Sequence, residues 1–386
     1  MLLIKDDDVD GQAGLRRANL RKALQLVFAR SGKETRAGIA RATGLTAATA
    51  SSLVAELIET RLVAEGGQAA STGGKRATTL TVDATHHLLL VVVIRPTDAF
   101  TALVALDGRT VYEERIGYDA EGRDRALTEM ITRVADRFGD RLLVASVQIT
   151  GATDGRVVLE SVQLRLKDVP LAEQYERILG VPVHLVNDVD AEAIAESSAH
   201  RSGRGHVLFI HIGTGIGASL TLDGELAPGP HARGGEIGHV QVVFGDSARI
   251  CRCGLRGCLE AESSMTAMVG ESFTEAMSAE EAAPLIAASD QDRIEVGAVA
   301  LARAIKLLAA MLDPIEVVIG GAVALLGEGF LDAVRAASAY EARGTVSVPI
   351  RYADPRLVPY AGAAQFGLSA ALGVRWSPGQ FALPER

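Results

Sequence analysis

The sequence predicts an α/β protein whose body is preceded by a small helical module, and three observations lead there. From Asp83 onward, short apolar runs of strand length alternate with stretches of helical periodicity. Before Asp83, three helical patterns separated by turn residues give way to two short alternating segments of hairpin type. Charge changes at the same place. Residues 11–82 hold eleven Lys or Arg against four Glu, net +7; with −3 on residues 1–10 and −9 overall, the remaining 304 residues carry −13. At 386 residues the chain exceeds one core and is expected to divide into two or three folded units.

The elements follow in order. Residues 1–14 read as an acidic flexible tail carrying Asp6, Asp7 and Asp8. Over residues 16–30, Leu20, Leu24, Val27 and Phe28 recur at helical spacing until Ser31-Gly32 ends the run. Thr35 caps a second helix that turns Ile39 and Ala40 inward, and Ala42-Thr43-Gly44-Leu45 makes a tight turn. Thr46 caps a third helix with Ala50, Leu53, Val54, Leu57 and Ile58 as its buried stripe. Leu62–Glu65 and Thr78–Val82 form a hairpin around Gly66–Lys75, the wing of a winged helix-turn-helix over residues 15–82.

In the body, strands are expected at Leu88–Ile94, Ala99–Leu106, Thr110–Ile116, Val144–Ile149, Val181–Val186, His206–Ile212 and Ile315–Ile319. Helices are expected at Arg123–Arg137, Asp190–Ala199, Ile294–Leu312 and Phe330–Ala339. The longest apolar run, Leu88–Ile94, is far short of the ~20 residues a bilayer span requires. No secretory leader is visible, and the protein is expected to be cytoplasmic.

All three cysteines fall between positions 251 and 258, which excludes a disulfide framework. Cys251, Cys253 and Cys258, with His239 twelve residues before the first of them, supply the four ligands of a closed tetrahedral zinc site of structural type. Three buried structural thiols are the alternative, and Cys-Arg-Cys-Gly-Leu-Arg-Gly-Cys is polar for a core strand.

Gly235-Glu236-Ile237-Gly238-His239, followed by Cys-x-Cys-Gly-x-x-Gly-Cys-x-Glu through Glu260, resembles the signature of the ROK family of repressors, open reading frames and sugar kinases. Val186-Asn187-Asp188, Gly213-Thr214-Gly215-Ile216-Gly217 and Ile319-Gly320-Gly321 lie in the family's order. The resemblance covers about residues 83–386, and residues 15–82 resemble the winged helix-turn-helix of the family's repressor branch. It implies a two-lobed actin-like (ribonuclease H-like, sugar-kinase) body, with lobe 1 about 83–188 plus the C-terminal end and lobe 2 about 189–370. It further implies that Asn187, Asp188, Glu236, His239 and Glu260 hydrogen-bond sugar hydroxyls, with Asp188 at the position of the kinases' general base.

Two departures bear on activity. Where the family's kinases carry Asp-x-Gly-Gly-Thr for ATP, this chain has Val93-Ile94-Arg95-Pro96-Thr97 and keeps only the Thr. Pro96 has no amide hydrogen and Val93 cannot hold a metal, so phosphoryl transfer loses its positioning and charge neutralisation. Gly213–Gly217 is intact, and reads either as a phosphate segment or as a tight turn between strands. Gln163 and Arg165 replace residues common in relatives; Arg165 suits a phosphorylated or acidic sugar.

The basic module is either a solvated face or a nucleic-acid-binding one, and a helix-turn-helix favours the second. Its second helix would present Thr46, Ala47, Ala48, Thr49, Ser51 and Ser52 to the major groove. Arg36, Arg41, Arg16 and Arg17 suit phosphates, and Lys75 and Arg76 on the wing suit the minor groove. The expected function is a sugar-responsive repressor, a homodimer or tetramer on palindromic operator DNA, with a sugar or sugar phosphate as effector and no catalysis. A sugar kinase with an appended DNA-binding domain and a constitutive regulator with a protein partner are the alternatives.

Overall fold

The structure, a computed structural model, describes residues 11–68, 77–200, 205–227, 229, 234–339 and 348–377. The described residues within Met1–Ala191, Ser198–His200 and Arg356–Arg386 form one compact unit, and those within Glu192–Ser197 and Arg201–Pro355 a second.

The first unit opens with α1 (Gln12–Ala29), β1 (Glu34–Thr35), α2 (Arg36–Thr43), α3 (Ala47–Glu59), β2 (Val63–Gln68) and β3 (Thr78–Val82). The strands pair in the order β1-β3-β2. Thr35 and Thr46 cap α2 and α3 by accepting hydrogen bonds from Gly38 N and Thr49 N, and Gly44, at φ 71°, ends α2 as the turn requires. Leu20, Leu24, Val27, Phe28, Ile39, Leu53, Val54 and Leu57 are buried. Ile58, expected in the stripe, is only half-buried.

The unit's main sheet runs β11-β7-β4-β5-β6. Its strands are β4 (Leu88–Ile94), β5 (Asp98–Ala105), β6 (Thr110–Gly117), β7 (Leu142–Ile149) and, after the small sheet β8 (Ala152–Thr153), β9 (Val158–Ser161) and β10 (Leu166–Val169), β11 (Val183–Asn187). Every residue of β4 is buried, as a central strand covered on both faces demands, whereas the edge strand β6 alternates half-buried and exposed. Helices α4 (Arg123–Phe138) and α5 (Leu171–Leu179) contribute Leu127, Met130, Ile131 and Tyr175 to the core under one face.

The second unit is built on the sheet β14-β13-β12-β15-β16. After α6 (Asp188–Ala199), which begins in the first unit, come β12 (His206–Ile212), β13 (Ile216–Leu222), β14 (Glu225–Leu226), α7 (Leu259–Ser263), α8 (Met265–Val269), α9 (Ala279–Ala288), α10 (Gln291–Leu312), β15 (Glu316–Gly320), α11 (Gly327–Ser338) and β16 (Ile350–Tyr352). Phe330, Leu331 and Val334 of α11 and Leu301 and Ile305 of α10 close a core over Leu208, Ile210, Val317 and Ile319.

The chain then returns to the first unit as α12 (Ala361–Leu372), which packs on β7 and β4. Lobe 2 is expected to run to about residue 370, whereas α12 lies in the first unit, where Gly362 and Gly367 let it approach Ala191 and Ser146 without a Cβ between them. The wing tip, with Lys75 and Arg76, lies outside the described residues.

Candidate functional site

The segment 235–262 folds against β13. Gly235, at φ 89°, accepts from Ala218 N through its carbonyl at 2.9 Å, and a Cβ at Gly235 would run into the Ala218 carbonyl. The cysteine loop closes on itself through Cys251 N to Leu255 O at 2.7 Å and Gly254 N to Cys251 O at 2.9 Å.

These bonds bring the four expected ligands together. One ligand atom from each of His239, Cys251, Cys253 and Cys258 lies within 4.8 Å of the others. Cys251 Sγ is 3.5 Å from His239 Nδ1 and Cys253 Sγ is 3.6 Å from Cys258 Sγ. A disulfide would hold sulfurs at about 2.05 Å. A tetrahedral ion with ~2.3 Å metal–sulfur bonds separates its ligands by ~3.5–3.8 Å, so the spacing fits. Burial pushes the Cys258 thiol up to about 12, while the amide of Leu255 beside Cys253 holds that thiol below its usual range. A buried thiolate needs a compensating cation, which the three-sulfur, one-nitrogen donor set is suited to hold.

The backbone at Gly235 and Gly238, on either side of Glu236 and next to His239, and the carboxylate of Glu260 lie against β13. Glu236 is exposed. Glu260 is only 8 % exposed and its carboxylate is already engaged. Oε2 accepts from Ile216 N at 3.2 Å and Arg252 Nη2 at 3.1 Å, and Oε1 lies 2.9 Å from Arg252 Nε. Arg252 stands between two of the cysteines, and its hold on Glu260 carries no signal in the sequence, since only the folded loop brings the two together.

Asn187 and Asp188 belong to the first unit, at the C-terminal end of β11, where parallel strands commonly present ligand residues. Asn187 donates from Nδ2 to Gly151 O at 2.9 Å and caps α6 by accepting from Val189 N at 2.8 Å and Asp190 N at 3.2 Å. Thr150 Oγ1 donates to Asp188 Oδ2 at 2.7 Å. The register that aligns Asn187 with Ile149 places Thr150 there. An ionised carboxylate in the first turn of α6 is favoured by the helix dipole.

Val93–Thr97 forms part of a hairpin between β4 and β5. Val93 is buried, Arg95 N donates to Asp98 O at 2.9 Å, and Tyr118 Oη donates to the carbonyls of Arg95 and Asp98 at 2.7 Å. Arg95 and Arg115 lie 3.6 and 2.9 Å from the Asp98 carboxylate.

On the helical module, Thr46, Ala47, Ala48, Thr49, Ser51 and Ser52 are all exposed. Thr46 and Thr49 share a hydroxyl hydrogen bond of 2.8 Å. Arg41 is exposed, whereas Arg36 is paired with Glu65 at 2.8 Å and Arg16 with Glu56 at 2.5 Å. No helix among the described residues is long and apolar enough to cross a membrane.

Comparison with known proteins sets this geometry in context. The ROK family model matches residues 92–358. The xylose repressor of Caldicellulosiruptor bescii is 28% identical over 245 residues, 61% of each chain. N-acetylmannosamine kinase of Vibrio cholerae El Tor is 34% identical over 168 residues, 42% of this chain and 58% of that one. The chain therefore spans about three fifths of the length of these relatives. Among solved structures, a ROK family transcriptional regulator homologous to the E. coli MLC protein superposes with a TM-score of 0.75 at 22% identity, covering 93% of this chain and 98% of that one. A ROK hexokinase from Thermus thermophilus gives 0.59 at 28% identity, covering 74% and 97%.

Proposed function

The chain belongs to the ROK family, and from that premise we propose that it is a sugar-responsive transcriptional regulator of repressor type, not an enzyme. The observation that carries the reading is the outward face of α3, short side chains on a capped helix of a basic module. Ala and Thr methyls can meet thymine methyls, and the Thr and Ser hydroxyls can reach base edges or phosphates. A repressor among the relatives supports the same reading. Arg36, Arg41, Lys75 and Arg76 serve the phosphates and the minor groove. Arg36 must then leave Glu65, with which it pairs.

Asn187, Asp188, Glu236, His239 and Glu260 are assigned to the hydroxyls of the effector, a sugar or sugar derivative. His239 turns Nδ1 toward Cys251, so its other ring nitrogen is the one that meets ligand. His239, Cys251, Cys253 and Cys258 would hold a structural zinc, which supplies the charge compensation three clustered thiolates require. Chelation of the purified protein is expected to lower its melting temperature and free about one zinc per chain, and a metal-free protein that melts unchanged refutes the assignment.

The reading requires two reading heads and therefore a homo-oligomer on a palindromic site. The exposed row Val296, Val299, Leu307 and Met311 along α10 supports self-association. The test is a thermal-shift screen of monosaccharides, disaccharides and their phosphates, then gel shifts on the promoter beside the protein's own gene with any sugar that binds. A sugar that binds and alters the shift supports the proposal. Absence of duplex binding by the whole chain overturns it.

The kinase reading is favoured by one observation, the arrangement of Asp188 beside Thr150 and Asn187, together with kinases among the relatives. Against it stands the hairpin at Arg95–Asp98, which closes on its own side chains. Steady phosphorylation of any hexose in a coupled assay would restore it.

A further inference from the structure

The turn Gly213–Gly217 joins β12 to β13, and the chain itself takes up much of its donor capacity. Gly213 N donates to Gly215 O at 2.9 Å, and Ile216 N donates to Glu260 Oε2 at 3.2 Å. Thr214 donates twice to one oxygen, from N at 2.7 Å and from Oγ1 at 2.9 Å, both to Glu275 Oε1. Gly213 makes room for that oxygen, because a Cβ there would overlap the Glu275 carboxylate.

Glu275 reaches the turn from the connection between α8 and α9. Two residues before it Phe273 is buried in the core of the second unit, and two residues after it Met277 packs against that core. Both ends of this short stretch are therefore anchored, and the carboxylate, exposed on one side, is held on the turn by the Thr214 amide and hydroxyl.

A glycine turn that aims an amide and a hydroxyl at one point is suited to a tetrahedral oxyanion. Here one carboxylate oxygen occupies that point, and a phosphate brought there would meet a like charge in contact. We propose that Glu275 is a built-in anion that fills an oxyanion site on the Gly213–Gly217 turn and so excludes phosphate-bearing ligands from it. The proposal deepens the non-enzymatic reading above and takes its significance from it: the body would be closed to a phosphoryl donor at this turn as well as at Val93–Thr97.

The test titrates inorganic pyrophosphate into the full chain, E275A and E275S by calorimetry, at constant ionic strength, with circular dichroism confirming the fold. The unaltered chain should show no saturable heat. The two variants should give saturable binding, and T214V/E275A should lose it. The assignment is overturned if folded E275A and E275S bind no better than the unaltered chain, if that chain already binds as they do, or if the gain survives in T214V/E275A. Sugar phosphorylation by the unaltered chain would instead sink the regulator reading, so the two failures are distinguishable.

Discussion

Gly257 shows how little latitude the cysteine loop has. Its φ is 72°, and a Cβ would fall on the carbonyl of Val243, so strain and overlap act together. Gly257→Ala is expected to destabilise the protein by about 1–3 kcal/mol in denaturant unfolding and to lower zinc content; an unchanged midpoint would refute the constraint. His87 offers a pH readout. Burial lowers its pKa, partly offset by the 2.9 Å hydrogen bond to Thr60 O. The folded state therefore prefers the neutral ring, so stability present above an unfolded pKa of about 6.5 is lost as pH falls through the lower folded value. His87→Gln should flatten the decline in melting temperature as pH falls below about 6.5, and parallel curves would exclude His87 as its source. The cysteines and His239 were legible in the sequence because their spacing is short and their chemistry shared. Glu275 was not, since 61 residues separate it from Thr214 and only the fold joins them.

At the scale of elements, α1 is fastened to the segment that follows α12. Gln25 pairs with both backbone groups of Arg375, donating from Nε2 to its carbonyl at 3.0 Å and accepting from its amide at 2.8 Å. Gln365 holds the same segment by donating to Val374 O and accepting from Trp376 N, and Trp376 Nε1 donates to Leu106 O at 2.7 Å. Gln25→Ala leaves Arg375's amide and carbonyl without that partner, at a cost of about 1–3 kcal/mol. Hydrogen exchange of the α1 amides should quicken while those of β4 stay protected, and equal exchange in both proteins would mean that the strap does not hold the module. The strap and α12 also mark where the sequence falls silent. Leu88–Ile94 announces a buried strand, but Ala-Gly-Ala-Ala-Gln-Phe-Gly-Leu offers no polar face to set a period, because α12 is buried along most of its length. The amphipathic α5 is hard to see in the sequence for another reason: it is only nine residues long and follows directly on short strands.

For the whole molecule, the contrast between a +7 module and a −13 remainder should appear in how binding responds to salt. Phosphate contacts release condensed counterions, and each changes the slope of log K against log salt by about 0.9. On the proposed reading the net-negative remainder adds little to this term, and the slope should follow the basic module. Arg41 is exposed at the end of α2, and Arg41→Ala should weaken binding to every duplex, specific or not, while flattening the slope. The size of the change counts reading heads: about 0.9 if one copy engages the operator, about 1.8 if two copies do so by two-fold symmetry. Titrating labelled operator over a series of salt concentrations measures it. An unchanged slope would remove Arg41 from the interface, and a change confined to one operator sequence would make it a reader of bases.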